Sequence, residues 1–212
     1  KIIKIISDLM VKEKYEVIIS SVVPTLSNFL INDLESKEIS YFEVNYSNSL
    51  VNLEVDNPSE VGADRICNIC ATKLFFKYPS ITIDFGTATT FDVINDSGNF
   101  IGGAISPGID VSADYLINKT ELLKSTVYKF PNSIIGKNTI ENIQSGVMYG
   151  GLYLIEGMIN SIIDSMKFKN PSIILTGGFG PLIADKLTIS HEYEESLTMM
   201  GMVEIYKKNS IC

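Results

Sequence analysis

Hydrophobic and polar positions follow several different periods along this chain, and each period predicts a type of element. In the first part, short continuous apolar runs predict buried strands, and apolar residues spaced three and four apart predict helices. Pro24 stops the first of these runs. The pattern places strands at residues 16–23, 40–44 and 51–55, and helices at residues 26–35 and 60–78.

The period shortens after residue 79, where three β runs are joined by short polar segments. Because these segments are hairpin-type joints, the three runs are predicted to form an antiparallel meander. The meander strands are 80–84, 89–95 and 100–106. The remaining elements are helices at 109–123, 139–166 and 196–208 and a strand at 172–176. This mixture of elements predicts an α/β or α+β fold.

Length, composition and charge restrict the class of protein. The chain has 212 residues, of which 45% are hydrophobic and 20% are charged, as in a globular protein with a proper core. Seventeen Lys and Arg against 25 Asp and Glu give a net charge of −8, which disfavours nucleic acid or an anionic membrane as a partner. No apolar run approaches the roughly 18 residues that a membrane span needs. We therefore expect no nucleic-acid partner and no membrane partner.

Cysteine usage indicates a reducing, cytoplasmic location. Cys67, Cys70 and Cys212 are too few and too unevenly spaced for a disulfide framework, and the opening residues do not have the pattern of a signal peptide. Cys67 and Cys70 form a C-x-x-C pair inside a predicted helix, where cysteine behaves as a small apolar residue. A zinc site would need two further ligands, for which the chain offers only Cys212 and His191, and we expect His191 to be a surface residue.

The segment after the first meander strand carries the clearest chemical signal. Asp84 ends an apolar strand, Gly86 permits a tight turn, and Thr87 begins a run rich in hydroxyl residues. Backbone N–H groups and hydroxyls in such a turn can cradle a phosphate, while the aspartate can hold a cation or orient water beside it. An ordinary hairpin with polar turn residues produces the same pattern, so the motif by itself fits both interpretations.

A second candidate segment lies at the start of the helix predicted from residue 60. Gly62 would let a ligand approach the backbone, Asp64 could accept a proton, and Arg65 could hold an anionic group bidentately. A polar first helical turn, in which Asp64 only complements the helix dipole, has the same composition.

Two further segments are open to the same pair of interpretations. Thr139 either contacts a ligand or belongs to a helix cap. Gly177 and Gly178 follow a buried strand, where bare backbone could lie against a flat ligand such as an adenine or could form a simple strand-to-helix turn.

The order of these segments along the chain is more specific than any one of them. The ordered set is Ile18-Ile19-Ser20-Ser21-Val22-Val23-Pro24, Asn57-Pro58, Gly62-Ala63-Asp64-Arg65, Asp84-Phe85-Gly86-Thr87-Ala88-Thr89-Thr90, Gly102-Gly103-Ala104-Ile105, Pro107-Gly108, Gly136-Lys137-Asn138-Thr139, Gln144-Ser145-Gly146 and Thr176-Gly177-Gly178. In this order the segments resemble those of the type III pantothenate kinases over nearly the whole chain.

The resemblance implies an α/β fold with two related, ribonuclease H-like halves around a nucleotide cleft, as in the acetate and sugar kinase, Hsp70 and actin superfamily. Residues 1–78 would be the remainder of the N-terminal half, and residues 79–212 the C-terminal half with its terminal helix. The implied reaction is ATP-dependent phosphorylation of pantothenate to 4'-phosphopantothenate, the first step of coenzyme A biosynthesis. The implied enzyme is a cytoplasmic homodimer that needs potassium or ammonium, and Mg²⁺ with the nucleotide.

The resemblance also implies residue roles. Asp64 would be the base that accepts the proton of the pantothenate hydroxyl; an aspartate is a weak base, which suffices if the transition state is loose. The pantothenate site would be formed by Gly62, Ala63, Asp64, Arg65 and Thr139, with Val55 at its wall. Asp84 would bind the monovalent cation, and the residues around ATP would be Gly86, Thr87, Gly177 and Gly178.

Two departures from the family pattern bear on activity. The position seven residues before Gly62, usually a tyrosine in the pantothenate pocket, is Val55 here. The D-x-G-N-T phosphate loop with which the family opens is not found in the 212 residues. From the motif spacing we expect the natural protein to begin about 45 residues before Lys1, with a first strand and this loop.

Two other interpretations of function stay open at this point. A non-catalytic regulatory or accessory relative of the kinases would account for Val55 and for the missing loop. A kinase of the same superfamily acting on another alcohol would account for Val55 alone. The intact acceptor-side set, Asp64, Arg65 and Thr139, favours the pantothenate kinase.

Overall fold

The computed structural model describes residues 16–118 and 128–210, and within them strands and helices form a mixed α/β fold, as the sequence predicts. The strands are β1 (Val17–Ile19), β2 (Tyr41–Glu43), β3 (Ser80–Phe85), β4 (Ala88–Ile94), β5 (Phe100–Pro107), β6 (Ser172–Gly177) and β7 (Glu192–Tyr193). The helices are α1 (Pro24–Ser36), α2 (Ala63–Phe75), α3 (Ile109–Asn118), α4 (Thr139–Met166), α5 (Gly180–Ala184) and α6 (Leu197–Ser210). Two short 3-10 helices span Tyr46–Asn48 and Pro58–Glu60.

A five-stranded sheet in the order β5-β4-β3-β6-β7 lies at the centre of the fold. β3, β4 and β5 pair antiparallel, which confirms the predicted meander, while β6 runs parallel to β3. The register places Phe85 opposite Gly177, so the carboxyl ends of β3 and β6 lie side by side. The polar turn after β3 and the glycine turn after β6 therefore meet at one edge of the sheet.

The two faces of this sheet differ in chemical character because successive strand residues point to opposite sides. One face is apolar and packs against α4 in a buried cluster that includes Ile83, Leu175 and Ile155. The opposite face is rich in hydroxyl and carboxyl groups. Its polar residues on β3, β4 and β6 are Ser80, Thr82, Asp84, Thr90, Asp92 and Thr176. Buried polar groups need hydrogen-bond partners, and α2 supplies several of them.

The last helix, α6, packs closely on α2. A Cβ atom at Gly201 would lie 1.9 Å from the carbonyl oxygen of Cys67, so the two backbones touch where the helices cross. Ile205 extends the contact into an apolar cluster with Ile66 and Ile69. This packing fixes the C-terminal helix against the helix that supplies partners to the polar face of the sheet.

Cys67 and Cys70 are buried free thiols within α2, which agrees with their interpretation as small apolar residues. Burial is the main cause that raises the pKa of Cys67 to about 12, and it also raises the pKa of Cys70. His191 is half-buried, with its Nδ1 2.7 Å from the carbonyl oxygen of Ile189. Cys212 lies outside the described residues.

Several predicted boundaries differ from the observed ones. Residues 51–55 do not form a strand, because their pairing is limited to one isolated bridge between Leu53 and Phe100. α2 begins at Ala63 instead of residue 60, since the preceding residues form the separate 3-10 helix. The helix predicted at 109–123 is described as far as Asn118, and its remainder lies outside the described residues. The sequence pattern missed α5 and β7, which are too short to show a period.

Among the described residues, α4 is the helix whose length and composition would allow it to cross a membrane. A core helix of a globular protein meets the same criterion. Met148, Leu152, Ile155 and Ile159 of α4 are buried against the central sheet, whereas Ile140, Tyr153 and Leu154 of the same helix are exposed.

Candidate active site

Asp64 lies in the first turn of α2, where a carboxylate also complements the positive end of the helix dipole. Its Oδ1 accepts a hydrogen bond of 2.7 Å from the backbone N–H of Arg65. A Cβ at Gly62 would lie 2.7 Å from the same oxygen and 3.0 Å from Val22, so glycine leaves room for the carboxylate to fold back on its own turn. The backbone thus holds one oxygen of Asp64 and fixes the direction of the other.

Arg65 points into the protein and pairs with Asp92 on β4. Its Nε and Nη2 lie 2.8 Å and 2.6 Å from Asp92 Oδ1, and the guanidinium carbon lies 5.5 Å from the centre of the Phe100 ring. Asp92 is fully buried, and only 16% of the Arg65 side chain is exposed. The Nε–Nη2 edge of Arg65 is therefore taken by Asp92, and a ligand carboxylate would have to approach the Nη1 side.

Asp84 stands at the carboxyl end of β3 and is held by α2. Its Oδ2 accepts a hydrogen bond of 2.9 Å from the side-chain amide of Asn68. The hydroxyl of Thr198 on α6 donates to Asn68 Oδ1 at 2.7 Å, which fixes the orientation of the amide. Asp84 Oδ1 lies toward the glycine turn after β6, because a Cβ at Gly177 would be 2.6 Å from it.

The three carboxylates of Asp64, Asp84 and Asp92 influence one another electrostatically. Burial is the main cause that raises the pKa of Asp84, the Asn68 hydrogen bond lowers it, and the charge of Asp64 raises it further. Burial also raises the pKa of Asp92 to about 6, against the opposing effect of Arg65. One guanidinium among three carboxylates leaves a local excess of negative charge, which favours the binding of a cation.

Asp84 is the carboxylate at this edge of the sheet that could hold a cation, and it is half-buried at the end of β3. Within the residues described, no group of three or more His, Cys, Asp or Glu side chains is placed to hold a metal ion. A cation held by Asp84 would therefore need other oxygen donors, such as backbone carbonyl groups or water, to complete its coordination.

Gly86 and Thr87 are exposed in the tight turn between β3 and β4. The backbone N–H of Gly108 donates to the carbonyl of Thr87 at 3.0 Å, which ties this turn to the end of β5. Beside it, Gly177 has a φ of +87°, a conformation that glycine adopts without strain. A Cβ at Gly178 would meet nothing within 4 Å. The structure therefore brings the two turns to one open edge, next to Asp84.

Four other residues of the predicted site are distributed over two cavities and an apolar cluster. Thr139 is exposed in the first turn of α4 and lines a cavity of about 520 Å³ together with Thr89, Ser106 and Ser112. Gly62 and Ala63 line a different pocket, of about 340 Å³. Val55 is half-buried and packs against the apolar cluster beside α2, with its side chain 4.0 Å from where a Gly102 Cβ would be. Neither cavity contains Thr139 and Gly62 together.

Three residues at the site were not singled out by the sequence: Asn68, Asp92 and Thr198. Asp92 did carry a signal, because an aspartate within the apolar run 91–94 must find a partner if it is buried. Asn68 was overlooked inside the C-x-x-C motif. Thr198 gave no local signal, since its partner Asn68 is 130 positions away along the chain.

Comparison with known proteins yields one family. The model of the type III pantothenate kinase family matches residues 1–161. A type III pantothenate kinase of Sulfurihydrogenibium sp. is 40% identical over 195 residues, which cover 88% of this chain and 75% of that protein. The one from Citrifermentans bemidjiense is 37% identical over 210 residues, which cover 96% of this chain and 81% of that protein.

One solved structure shares the fold at lower sequence identity. It is a conserved protein of Campylobacter jejuni assigned to the Baf family of transcriptional activators, with a TM-score of 0.66 and 20% identity. The match covers 98% of this chain and 89% of that one. At this identity the likeness concerns the fold alone.

Proposed function

Since this chain belongs to the type III pantothenate kinase family, we propose that the edge of the sheet between Asp64, Asp84 and Gly177 is its catalytic centre. The enzyme is a kinase that uses ATP to phosphorylate pantothenate in coenzyme A biosynthesis. The observation that carries the assignment is the placement of α2, because Asp64 lies in its first turn and Asn68, four residues later, donates a hydrogen bond to Asp84. A general base and an anion-binding turn are thereby brought to one edge.

Asp64 is the proposed general base. The hydroxyl oxygen of pantothenate forms a bond to the γ-phosphorus of ATP as the bond to the β-bridging oxygen breaks, and ADP leaves. The hydroxyl proton passes to the free oxygen of the Asp64 carboxylate, because Oδ1 is held by the backbone N–H of Arg65. If proton transfer is late in a loose transition state, the fixed position of Asp64 contributes more than its basicity.

The acceptor side is proposed to consist of the start of α2 and nearby residues. Gly62 and Ala63 line the pocket at the start of α2, and Arg65 would offer N–H groups on its Nη1 side to the pantothenate carboxylate. Val55 contributes an apolar wall where no hydroxyl is available. Thr139 is assigned to the same site by its motif, so substrate binding would have to bring α4 and α2 into contact with one ligand.

The nucleotide side is proposed to consist of the two turns beside Asp84. The exposed turn at Gly86 and Thr87, with the Thr87 hydroxyl, suits the phosphates, although the Gly86 N–H already donates to the carbonyl of Ala88 at 3.1 Å. The open backbone at Gly178, next to the closely packed Gly177, suits the adenosine. Asp84 would hold potassium or ammonium, and such a cation, with Mg²⁺ on the nucleotide, would neutralise phosphate charge. The excess of carboxylates over guanidinium groups around Asp84 supports this assignment.

The larger organisation belongs to the same proposal. The chain would form two related halves, 1–78 and 79–212, around the nucleotide cleft. The enzyme would act as a cytoplasmic homodimer without a nucleic-acid or membrane partner. The net charge of −8 supports the exclusion of nucleic acid.

A coupled assay of ADP release tests this proposal on the intact protein. ADP should form only when pantothenate is present, and potassium should raise the rate while sodium should not. Other small alcohols offered in place of pantothenate should give much lower values of kcat/KM. ADP release that does not depend on pantothenate would overturn the assignment of substrate, and equal rates with potassium and sodium would overturn the role of Asp84.

A further inference from the structure

The guanidinium of Arg65 lies in a socket that is formed by Asp92 of β4 and by Phe100 and Gly103 of β5. Asp92 on β4 contacts Nε and Nη2, and Phe100 at the start of β5 lies 5.5 Å from the guanidinium carbon. Gly103 of β5 completes the socket, since a Cβ there would lie 3.2 Å from Nη2. The guanidinium is therefore enclosed on several sides before any substrate arrives.

A contribution to folding stability does not by itself explain the ion pair between Arg65 and Asp92. A buried ion pair gains little net stability, because the cost of removing both charges from water is close to their mutual attraction. Here the cost is visible, since Asp92 is fully buried and its Oδ2 has no hydrogen-bond partner in the described part of the chain. An apolar pair of similar volume would fill the same space without that cost.

The position of Arg65 along the chain suggests what the socket provides. Arg65 directly follows Asp64, and its backbone N–H is the group that holds Asp64 Oδ1. A side chain anchored in the sheet restrains the first turn of α2, and it leaves Nη1 as the guanidinium nitrogen that does not contact Asp92. Both effects orient groups that the proposed function places around pantothenate.

We propose that Asp92 is a positioning residue for pantothenate binding, which acts by holding Arg65 in a fixed direction. This inference rests on the proposed function of Arg65. Asp92 does not touch the substrate, so its removal should raise the KM for pantothenate with a smaller change in kcat. The KM for ATP should change little, because Asp92 lies opposite Thr82, whereas the proposed nucleotide turns lie beyond Asp84 at the end of β3 and β6.

A double-mutant cycle tests whether Asp92 acts through Arg65. In the isosteric variant Asp92→Asn, the KM for pantothenate should rise about tenfold, a change equivalent to about 1.4 kcal/mol. In an Arg65→Gln background, the further change Asp92→Asn should have almost no effect on KM. Ser80→Ala is the matched control, since Ser80 is buried on the same sheet face with an unpaired hydroxyl. Its KM values should equal those of the wild type.

The outcomes separate this inference from the proposed function. An equal rise of KM in both backgrounds would show a general structural effect and overturn the inference, as would an unchanged KM in Asp92→Asn. Failure of the wild type to use pantothenate would instead overturn the proposed function.

A measurement on the wild type covers the case in which the variants fail to fold. In ¹H–¹⁵N spectra, the Nε–H of Arg65 should exchange slowly with water because Asp92 holds it in a buried hydrogen bond. Rapid exchange of that proton in the folded protein would show that Arg65 is not held, and would overturn the inference directly.

Discussion

Asn68 donates a hydrogen bond of 2.9 Å from its side-chain amide to Asp84 Oδ2, and this bond joins α2 to the end of β3. Asn68 is fully buried, so its amide has few alternative partners. Its orientation is set on the other side by Thr198, whose hydroxyl donates to Asn68 Oδ1. Three elements, β3, α2 and α6, are thus connected through side chains to the carboxylate proposed to hold the cation.

Removal of the Thr198 hydroxyl should affect Asp84 indirectly, because Thr198 contacts Asn68 and Asn68 contacts Asp84. In Thr198→Val, Asn68 Oδ1 loses its donor while staying buried, a loss that typically costs 1–3 kcal/mol. We expect a lower melting temperature and a rise of several-fold in the potassium concentration that gives half-maximal rate. Thermal unfolding with and without potassium measures the same effect independently of turnover, since the stabilisation by potassium should shrink in the variant.

Thr198→Ser provides the control for this prediction, because it keeps the hydroxyl and removes only a methyl group. Its potassium dependence should follow that of the wild type. If Thr198→Val showed unchanged potassium dependence and unchanged stability, the chain from α6 through Asn68 to Asp84 would have no functional effect.

Replacement of the proposed base should act on the chemical step. In Asp64→Asn the carboxylate that accepts the hydroxyl proton is lost, and general base catalysis typically contributes 10²–10⁴-fold. Because the transition state of phosphoryl transfer is loose, we expect kcat to fall toward the lower end, by about 10²-fold. Steady-state kinetics with varied pantothenate should show a smaller change in KM.

Asp56→Asn is the matched control, since Asp56 is exposed and lies in the loop that precedes α2. It should leave kcat and KM unchanged. A kcat for Asp64→Asn within twofold of the wild type would remove Asp64 from the chemical step and assign it to the helix dipole alone.

The residues of the candidate site that the sequence singles out are those whose signal is local. Asp84 and Gly86 were found because a strand, an acid and a turn follow one another directly, and the meander followed from its short joints. Asp92 and Thr198 were not found, because their partners lie 27 and 130 positions away and depend on sheet register and helix packing. Residues 51–55 alternate like a strand, yet their pairing is limited to a single bridge with Phe100.

The close crossing of α2 and α6 predicts a strong effect at Gly201. In Gly201→Ala the new methyl group would lie 1.9 Å from the Cys67 carbonyl oxygen. This oxygen belongs to the backbone of a helix, so it cannot move away by a change of side-chain rotamer. Overpacking of this kind typically costs about 1–3 kcal/mol, which lowers the melting temperature by about 2–4 °C for each kcal/mol in a chain of this size.

Gly157→Ala is the matched control for this substitution. Gly157 is an exposed residue of α4, and a Cβ there meets nothing within 4 Å. Alanine should therefore stabilise the helix, by roughly 0.5–1 kcal/mol. Differential scanning calorimetry should show opposite changes for the two variants. Two changes of the same sign would mean that α6 does not cross α2 at Gly201.

Asp92 should make the stability of the protein depend on pH in a defined direction. Burial raises its pKa to about 6, Arg65 opposes this shift, and the nearby charges of Asp64 and Asp84 add to it. An unfolded aspartate has a pKa of about 3.9, so the folded protein binds more protons between these values. The free energy of unfolding should therefore fall as the pH rises from 4 to 7, by roughly 2–3 kcal/mol for this group.

Urea unfolding of the wild type and of Asp92→Asn at several pH values isolates this contribution. Asp84, whose pKa is also raised, titrates in both proteins and largely cancels in the difference between them. Relative to the variant, the wild type should lose stability as the pH rises through this window, because only the wild type must ionise a buried carboxyl group. If the difference instead moved in favour of the wild type, the attraction of Arg65 would outweigh the cost of burial. The ion pair of Arg65 and Asp92 would then stabilise the fold. That result would contradict the interpretation that Asp92 lowers the free energy of unfolding and is retained because it positions Arg65.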